Sequence, residues 1–298
     1  MRILVTGSTG LVGEAVVARL HARGDVPVRL VRGDGPFAET TAQWDPARGN
    51  IDVDGIEGLD AVVHLAGENI ASGRWTAERK ARIRESRVGG TRLLCEALAK
   101  TKQPPPVLIS ASAIGYYGDR GEELLDETRP PADDFLAEVC KAWEAATAPA
   151  VEAGIRVVHL RIGAVLSAKG GALARMVTPF KLGLGGVVGN GRQYMSWIAI
   201  DDLVTAIDHC IACDTLVGPV NAMAPNPVTN REFTKALGKV MRRPTLLPMP
   251  AFAVRLALGE MGIALLLTST RATPKRLLDS DFVFRHPHIE GALRALLA

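Results

Sequence analysis

The sequence is poor in aromatic residues and has no long uninterrupted apolar run. Phe, Trp and Tyr make up 5% of the 298 residues, too few for a surface that stacks nucleic-acid bases. The net charge of +3 is too small and too dispersed to predict binding to a nucleic-acid backbone. Arg255 and Glu260 interrupt the apolar stretch near the C-terminal end, so no segment reaches the roughly 18 residues of a membrane-spanning helix. We therefore expect neither a nucleic-acid nor a membrane partner.

Cysteine is also scarce. Cys95, Cys140, Cys210 and Cys213 lie mostly in apolar, helix-like segments, which predicts reduced, buried thiols. Cys210 and Cys213 have the C-x-x-C spacing but no matching second pair, so we predict no metal site. The first apolar strand begins at residue 3, which leaves no room for a signal peptide. These observations lead us to expect a cytoplasmic protein.

Glycine, in contrast, stands at regular intervals near the start of the chain. Residues 3–5 form an apolar run of the length of a buried strand, and Gly7, Gly10 and Gly13 follow with the spacing G-x-x-G-x-x-G. Apolar residues then recur at helical spacing, and residues 26–31 have the composition of a second strand. A strand, a glycine turn, a helix and a strand within about 30 residues are the unit that binds a dinucleotide.

Each of the three glycines has a separate physical task in such a unit. Gly7 tolerates the positive φ of the turn that leaves the strand. Gly10 lets a pyrophosphate touch the main-chain N–H groups at the start of the helix, where the helix dipole favours negative charge. Gly13 lets the helix lie close to the strand. The pattern therefore predicts a cofactor site made largely of main chain.

The residue at the end of the second strand distinguishes NAD from NADP. A carboxylate at this place would accept a hydrogen bond from the adenine-ribose 2′-hydroxyl and would repel a 2′-phosphate. The sequence has Arg32 there, with Arg29 nearby, and a guanidinium binds phosphate through two hydrogen bonds. We therefore predict NADP(H) as the cofactor.

Strands and helices continue to alternate along the chain. The predicted strands are residues 41–44, 61–66, 107–110, 155–160, 192–198 and 217–221, and the predicted helices are 76–100, 133–153, 200–211, 230–241 and 289–297. We expect Asp133 or Asp134 to cap the second of these helices, and Asp201 or Asp202 the third. This alternation predicts the α/β class, as a Rossmann-type doubly wound parallel sheet of about seven strands with a smaller, mostly helical C-terminal lobe.

We divide the chain into two parts on this basis. Residues 1–165, with a returning segment at about 199–223, are the predicted NADP-binding Rossmann domain. Residues 166–198 and 224–298 are the predicted substrate-side and C-terminal helical lobe. Ligands are expected in the cleft between the two parts.

Polar residues follow two of the predicted parallel strands. Glu68 and Asn69 come after the strand at 61–66, and Ser112, Tyr116 and Tyr117 come after the strand at 107–110. Ligands of open α/β sheets bind at the carboxyl ends of the strands. We therefore predict Glu68 and Asn69 as substrate-binding residues.

Several motifs resemble those of a known family. TGSTGLVG at the start, HLAG at 64–67 and the Ser/Tyr-Gly segment at 110–118 resemble the extended short-chain dehydrogenases/reductases of the nucleotide-sugar epimerase group. GENI at 67–70, PFKLGLGG at 179–186 and WIAIDD at 197–202 resemble an atypical epimerase-like branch with an appended C-terminal helical segment. The resemblance implies a Rossmann-type fold and NADP(H) binding by Gly7, Thr9, Gly10, Leu11, Val12, Gly13, Arg32, Leu65, Ala66, Gly67, Arg87 and Val165.

Members of this family usually carry a Tyr-x-x-x-Lys pair on the helix that corresponds to residues 134–150. If Lys141 is that lysine, Ala137 stands at the position of the tyrosine. If Glu144 sets the register, Cys140 replaces the lysine and Leu136 replaces the tyrosine. In both registers the usual proton donor is absent, so we predict Ser112 with Tyr116 or Tyr117 as its replacement, and Glu68, which is close by topology, is a further candidate.

Two functions remain open from the sequence. The first is an NADP(H)-dependent oxidoreductase or epimerase-like enzyme that acts on a small polar substrate. The second is a catalytically silent NADP(H)-binding sensor or scaffold, which the absent Tyr-x-x-x-Lys pair favours.

Overall fold

One large sheet organises the computed structural model, which describes residues 1–33 and 40–298. The strands are β1 (Arg2–Thr6), β2 (Val26–Val31), β3 (Thr41–Asp45), β4 (Asn50–Ile51), β5 (Ala61–His64), β6 (Val107–Ala113), β7 (Leu124–Leu125), β8 (Arg156–Ile162), β9 (Ala164–Ser167), β10 (Tyr194–Met195), β11 (Trp197–Ala199), β12 (Gly218–Ala222), β13 (Val228–Thr229) and β14 (Arg271–Ala272). The helices are α1 (Leu11–Ala22), α2 (Ala77–Leu98), α3 (Phe135–Ala145), α4 (Ala148–Glu152), α5 (Gly171–Lys181), α6 (Ile200–Ala212), α7 (Asn230–Met241), α8 (Ala251–Gly262), α9 (Lys275–Asp279) and α10 (Ile289–Leu297).

The large sheet has eight strands in the order β12-β8-β6-β5-β1-β2-β3-β4. Neighbouring strands are parallel throughout, except that β3 and β4 are antiparallel. The predicted fold class is therefore confirmed, and β4 is a short edge strand that the sequence did not predict. The carboxyl ends of β1, β5, β6 and β8 meet at one edge of the sheet, where ligands of this architecture bind.

The sheet is buried on both faces because successive side chains of each strand point to opposite sides. Ile3 and Val5 pack with Val16 and Val17 of α1 in one core cluster. Leu4 belongs to the cluster on the other face, with residues of α2. Each strand is consequently a nearly continuous apolar run, which is the feature that made the strands recognisable.

A separate core holds the lobe together. Trp197, Phe233, Leu237 and Leu293 pack in one buried cluster with residues of α5. Helix α7 begins as predicted, at a capping box in which Thr229 and Glu232 satisfy each other's main-chain N–H groups. The division of the chain into two domains remains a prediction, although β12 returns to the large sheet beside β8.

Two predictions about helices need correction. The helix predicted at 133–153 is two helices, because α3 ends at Ala145 and α4 begins at Ala148 with Pro149 in its first turn. The expected caps Asp201 and Asp202 are also wrong, since Ala199 is the N-cap of α6 and no side chain caps it. The buried Asp202 instead accepts hydrogen bonds from the main-chain N–H groups of Arg285 and His286.

Strand β6 is longer than predicted and ends at Ala113, so Ser112 lies inside the strand rather than after it. Tyr116 and Tyr117 lie in a single 3₁₀ turn that follows (Ile114–Tyr117). Within residues 1–33 and 40–298, no helix is long and apolar enough to cross a membrane.

Candidate functional site

The glycine turn between β1 and α1 is a cradle of main chain, defined here as residues 7–13. Gly7 has φ +63°, and a Cβ atom there would lie 2.9 Å from the carbonyl carbon of Leu65. A Cβ on Gly13 would lie 2.2 Å from the carbonyl oxygen of Gly7. The N–H of Gly10 donates to that same oxygen at 3.0 Å, and Gly10 is the N-cap of α1. A side chain at Gly7 or Gly13 would therefore push the cradle apart.

A buried chain of polar groups fixes the main chain on the other side of the cradle. Thr6 Oγ1 accepts hydrogen bonds from the N–H groups of Leu65 and Ala66, both at 3.0 Å. The Thr6 hydroxyl lies 2.8 Å from His64 Nδ1, and His64 Nε2 lies 2.9 Å from Thr91 Oγ1. Since Thr6 Oγ1 already accepts two bonds, its proton is directed to His64 Nδ1.

Burial lowers the pKa of His64 to about 4, so the ring is neutral at neutral pH and Nε2 carries its proton. The indole N–H of Trp143 donates to the same Thr91 oxygen at 2.9 Å. Strands β1 and β5 and helices α2 and α3 are thus joined through one imidazole. His64 is fully buried, and both of its ring nitrogens are bonded within the protein.

The cradle passes a direct test of whether it can hold a dinucleotide. Ser8 is buried, and its Oγ has no hydrogen-bond partner within the described part of the chain. A buried hydroxyl without a partner is costly unless a ligand or water satisfies it. The guanidinium of Arg29 donates to the Ser8 carbonyl at 3.0 Å, and Arg32 is exposed at the bend after β2. The residues present therefore fit an anionic dinucleotide with a further phosphate.

The start of α5 lies against the same turn. A Cβ on Gly170 would be 3.3 Å from Leu11 Cδ1, and a Cβ on Gly171 would be 3.7 Å from the carbonyl oxygen of Val165. Val165 pairs with Ile198 in the two-stranded sheet of β9 and β11 and packs on the core cluster of α1. The structure therefore brings Leu11 and Val165, two predicted cofactor residues, to one side of the cradle. Thr9 and Val12 are part of the cradle itself.

The loop after β5 is held to α2 by two arginines. Arg87 Nη1 donates to the carbonyl oxygens of Glu68 at 3.0 Å and Ile83 at 3.2 Å, and its guanidinium lies along Gly67. The Glu68 carboxylate pairs with Arg79 at 2.7 Å. Burial lowers the pKa of Arg87. Arg87 therefore lies beside Gly67 and Glu68, with Nη1 already bonded to main chain, and its contact with a cofactor stays a prediction.

The structure favours a different role for the two predicted substrate residues. Asn69 Oδ1 accepts from the N–H of Ala71 at 2.9 Å, and its carbonyl oxygen accepts from Ser72 and Arg79. Glu68 is committed to Arg79, as above. Both side chains shape the loop, so direct contact with a substrate stays a prediction.

A buried polar cluster, formed by Ser112, Glu144, Arg161 and Tyr117, lies at the ends of β6 and β8. Ser112 Oγ donates to Glu144 Oε1 at 2.7 Å. Arg161 holds the same carboxylate with two bonds, Nε to Oε1 at 2.8 Å and Nη2 to Oε2 at 2.9 Å. Arg161 is 3% exposed, and a buried charge of this kind requires such a partner.

The two predicted tyrosines have different environments. Tyr117 is fully buried; its hydroxyl donates to Asn221 Oδ1 at 2.8 Å and accepts from Arg161 Nη1 at 3.0 Å. Burial raises the pKa of Tyr117 to about 12. Tyr116 is half-buried, and the guanidinium of Arg161 stacks 3.5 Å from its ring centroid. The Tyr117 hydroxyl is therefore satisfied inside the protein, whereas Tyr116 is partly exposed, and a catalytic role for either stays a prediction.

Helix α3 presents one face to this cluster. Leu136 contacts Gly115, Cys140 lies 3.6 Å from the Ala113 carbonyl, and Glu144 follows one turn later. Lys141 points to the surface, where it pairs with Glu138 at 2.7 Å. Burial raises the pKa of Cys140 to about 12. Leu136 and Cys140 therefore face the cluster, whereas Lys141 faces the surface, and the register of the family's Tyr-x-x-x-Lys pair stays a prediction.

Sequence reasoning missed the partners of the cluster. Arg161 stands within strand β8 between Leu160, which is buried, and Ile162, and a charge at a buried position of a strand was a usable signal. Glu144 follows Cys140 at helical spacing but had no visible partner in the sequence, since Arg161 and Ser112 come from different strands. Asn221 comes from β12, more than 100 residues after Tyr117.

Comparison with known proteins gives consistent matches along the chain. Residues 3–219 match the NAD dependent epimerase/dehydratase family, and residues 249–296 match a domain of unknown function, DUF1731. An epimerase family protein of Mycobacterium leprae is 43% identical over 98% of this chain and 94% of its own length. The crystal structure of the human epimerase family protein SDR39U1 with NADPH superposes with a TM-score of 0.91, at 33% identity and 99% coverage of both chains.

A nucleoside-diphosphate sugar epimerase from Corynebacterium glutamicum is 40% identical with a TM-score of 0.82, although this chain covers 58% of that protein. The whole of the present chain therefore matches 58% of that longer protein. The sheet, the glycine cradle and these matches together show that the chain belongs to the NAD dependent epimerase/dehydratase family, within its branch of SDR39U1-type epimerase family proteins.

Proposed function

We propose that this chain binds NADP(H) in the cradle and acts as an oxidoreductase or epimerase-like enzyme on a small polar substrate. The observation that carries the proposal is the meeting of two sites at one sheet edge. The main-chain cradle follows β1, and the Ser112–Glu144–Arg161 cluster lies at the ends of β6 and β8. The NADPH in the structure of the human relative supports the choice of cofactor.

The residues that would hold the cofactor surround the cradle. They are Gly7, Thr9, Gly10, Leu11, Val12, Gly13, Arg32, Leu65, Ala66, Gly67, Arg87 and Val165. Ser8 Oγ, buried and without a partner in the described residues, joins them on structural grounds. When bound, a nicotinamide cofactor supplies or accepts a hydride.

The cluster assigns complementary roles to Ser112 and Tyr116. Ser112 donates its proton to Glu144, so its lone pairs are free to accept a hydrogen bond from a substrate hydroxyl. Tyr116 is the remaining phenol at this edge with a partly exposed side chain, and it stacks on Arg161. We assign Tyr116 the transfer of the proton and Ser112 the orientation of the reacting oxygen.

Calorimetry with NADPH and NADH tests the cofactor assignment. We expect NADPH to bind the wild type at least about tenfold more tightly than NADH, since a guanidinium contributes roughly 1.5–3 kcal/mol to a charged hydrogen bond. Arg32→Asp should abolish the preference, and Lys235→Asp, on the exposed side of α7, should leave it unchanged. Equal binding of both nucleotides by the wild type would contradict the NADP assignment.

Turnover tests the catalytic assignment. The absorbance of NADPH is followed across a panel of carbonyl compounds and nucleotide sugars, first with the wild type. Tyr116→Phe and Ser112→Ala should each lower kcat by roughly 10²–10⁴ and leave the Kd of NADPH within about threefold. Unchanged turnover in both variants would remove these two residues from the mechanism.

A cofactor-binding sensor or scaffold is the second candidate. Helix α3 contains no tyrosine, and Leu136 and Cys140 face the site. Under this proposal NADPH binds but is not consumed across the panel, and the affinity for a protein partner changes when NADPH is added. Consumption of NADPH with any substrate would rule out the silent alternative.

A further inference from the structure

Exposed large apolar side chains are concentrated in two segments of the lobe. Leu182 and Leu184 follow α5, and the second segment contributes Leu246, Leu247, Met249, Phe252 and Leu256. Leu246 is 81% exposed, Leu256 76% and Phe252 71%. Isolated exposed apolar residues are ordinary, but a concentration of this kind marks an interaction site. We call these seven residues the apolar knob.

The two segments are in direct contact and form one surface. The Met249 N–H donates to the Val187 carbonyl at 2.8 Å, and the Gly189 N–H donates to the Met249 carbonyl at 2.9 Å. Gly186 lies so close to the Leu247 carbonyl that a Cβ atom would reach to within 1.6 Å of it. Residues 186–189 and 247–249 are therefore side by side, Leu182 and Leu184 come just before the first of these segments, and Phe252 and Leu256 follow the second along α8.

Helix α8 is fastened to the rest of the molecule, so the knob has a fixed position. Arg74 donates to the carbonyl of Leu256, and Lys80 pairs with Glu260 at 2.5 Å. Val254, on the inner face of the helix, is 1% exposed. These contacts fix the orientation of α8, so Phe252 and Leu256 stay exposed on its outer face.

Cations predominate around the knob. Residues 181–187 and 242–258 contain four cations and no Asp or Glu, and all four cations are exposed: Lys181, Arg242, Arg243 and Arg255. An apolar centre with a rim of cations complements a surface that is apolar inside and anionic outside. A second copy of this chain complements it poorly, because a two-fold interface would bring the two sets of cations together, and Glu260, one turn beyond Leu256, is already paired with Lys80.

The exposure of the knob residues favours a lipid surface over an acidic protein as the partner. Leu182, Leu246, Phe252 and Leu256 are each more than two thirds exposed, so these four side chains project from the surface. A fluid bilayer adapts to a projection, and apolar side chains of interfacial helices enter the boundary between headgroups and acyl chains. We propose that the apolar knob and its four cations are a peripheral contact site for an anionic lipid bilayer.

This inference revises the expectation of no membrane partner, which rested on the lack of a spanning run and on a small net charge. A peripheral contact needs neither, because the cations are local to the knob. The proposal is independent of the function assigned to the cradle, and its test does not use turnover.

Flotation of the full chain with vesicles tests the site. One vesicle is phosphatidylcholine alone, and the other contains about a third phosphatidylglycerol. We expect the wild type to float with the anionic vesicles, and Leu246→Asp/Phe252→Asp to need at least about tenfold more lipid for the same bound fraction. Arg242→Gln/Arg243→Gln should lose roughly fivefold for each charge removed. Val283→Asp, at an 85% exposed apolar residue outside the knob, is the matched control.

Tryptophan fluorescence is a second measurement of vesicle binding, and it remains valid if the aspartate variants do not fold. The emission of Phe252→Trp should shift to the blue with anionic vesicles, and that of Val283→Trp should show no such change. Absence of flotation, or equal losses in Val283→Asp and the knob variant, would overturn the proposal. Binding to polyglutamate without binding to vesicles would assign the surface to an acidic protein. A concentration-dependent dimer that Phe252→Asp dissociates, without vesicle binding, would assign it to a second copy.

Discussion

The cradle and the polar cluster lie at the same edge of one sheet but are built from different parts of the chain's chemistry. In the cradle, main-chain atoms of Gly7 and Gly10 form the surface, and the absence of Cβ atoms is what shapes it. In the cluster, the side chains of Ser112, Glu144 and Arg161 form the site, and neutralisation of a buried charge shapes it. An added side-chain atom should therefore disrupt the cradle, whereas removal of a bonding partner should disrupt the polar cluster.

The largest expected effect is the removal of one partner from the buried ion pair. Arg161→Met leaves the Glu144 carboxylate buried without its cation, so we expect a loss of about 3–5 kcal/mol in the free energy of unfolding. Urea denaturation measures it. Arg161→Met combined with Glu144→Leu should recover part of the loss, because no unpaired charge remains. If the double variant is less stable than Arg161→Met alone, the unpaired Glu144 carboxylate is not the cause of the loss.

The free energy of unfolding is expected to depend on the pH through His64, which connects Thr6 of β1 with Thr91 of α2. Burial holds the pKa of His64 at about 4, below the 6.5 of an unfolded histidine. The unfolded state therefore binds more protons between these values, so the stability of the wild type is present above about pH 6.5 and is lost as the pH falls towards 4. The loss is up to about 3 kcal/mol.

Urea denaturation between pH 7 and pH 4.5 measures this loss. His64→Gln keeps a polar side chain in the same place but has no group that titrates in the window. Its stability should decline less over that range than that of the wild type. Equal slopes in the two proteins would show that His64 does not control this part of the pH dependence.

A methyl group in the cradle should affect cofactor binding more than folding. Gly13→Ala places Cβ 2.2 Å from the Gly7 carbonyl oxygen, so the turn must shift, at a cost of about 1–3 kcal/mol. We expect the Kd of NADPH to rise at least about tenfold, because the main-chain N–H groups move with the turn. Gly291→Ala, in α10 with open space around the position, should be neutral or slightly stabilising. Unchanged NADPH binding in Gly13→Ala would contradict the main-chain character of this site.

The smallest expected effect separates a structural from a catalytic tyrosine. Tyr117→Phe removes a buried hydroxyl bonded to Asn221 and Arg161, so we expect a loss of about 1–2 kcal/mol in unfolding free energy. NADPH affinity should remain within about twofold of the wild type. A selective loss of turnover with unchanged stability would restore Tyr117 to the catalytic site.

Much of the fold followed from local patterns. The strand runs, the helix at 230–241 and the order of elements were predicted because parallel strands buried on both faces are apolar throughout and helices repeat every 3.6 residues. Pro149 indicated the break between α3 and α4, although the helical pattern at 133–153 predicts a single helix. The partner of Asp202 was out of reach, since it lies more than 80 residues away in the chain.

The cradle was predictable for the same reason, because its glycines, strand and helix are consecutive in the chain and each has a local conformational requirement. The face of α3 that meets the cluster, the burial of Tyr117 and the pairing of Glu144 with Arg161 were decided only by tertiary structure, since they depend on which side chains different strands and α3 bring together. The apolar knob belongs to the second group as well. Its leucines look like core residues in the sequence, and packing alone determined that they face outward.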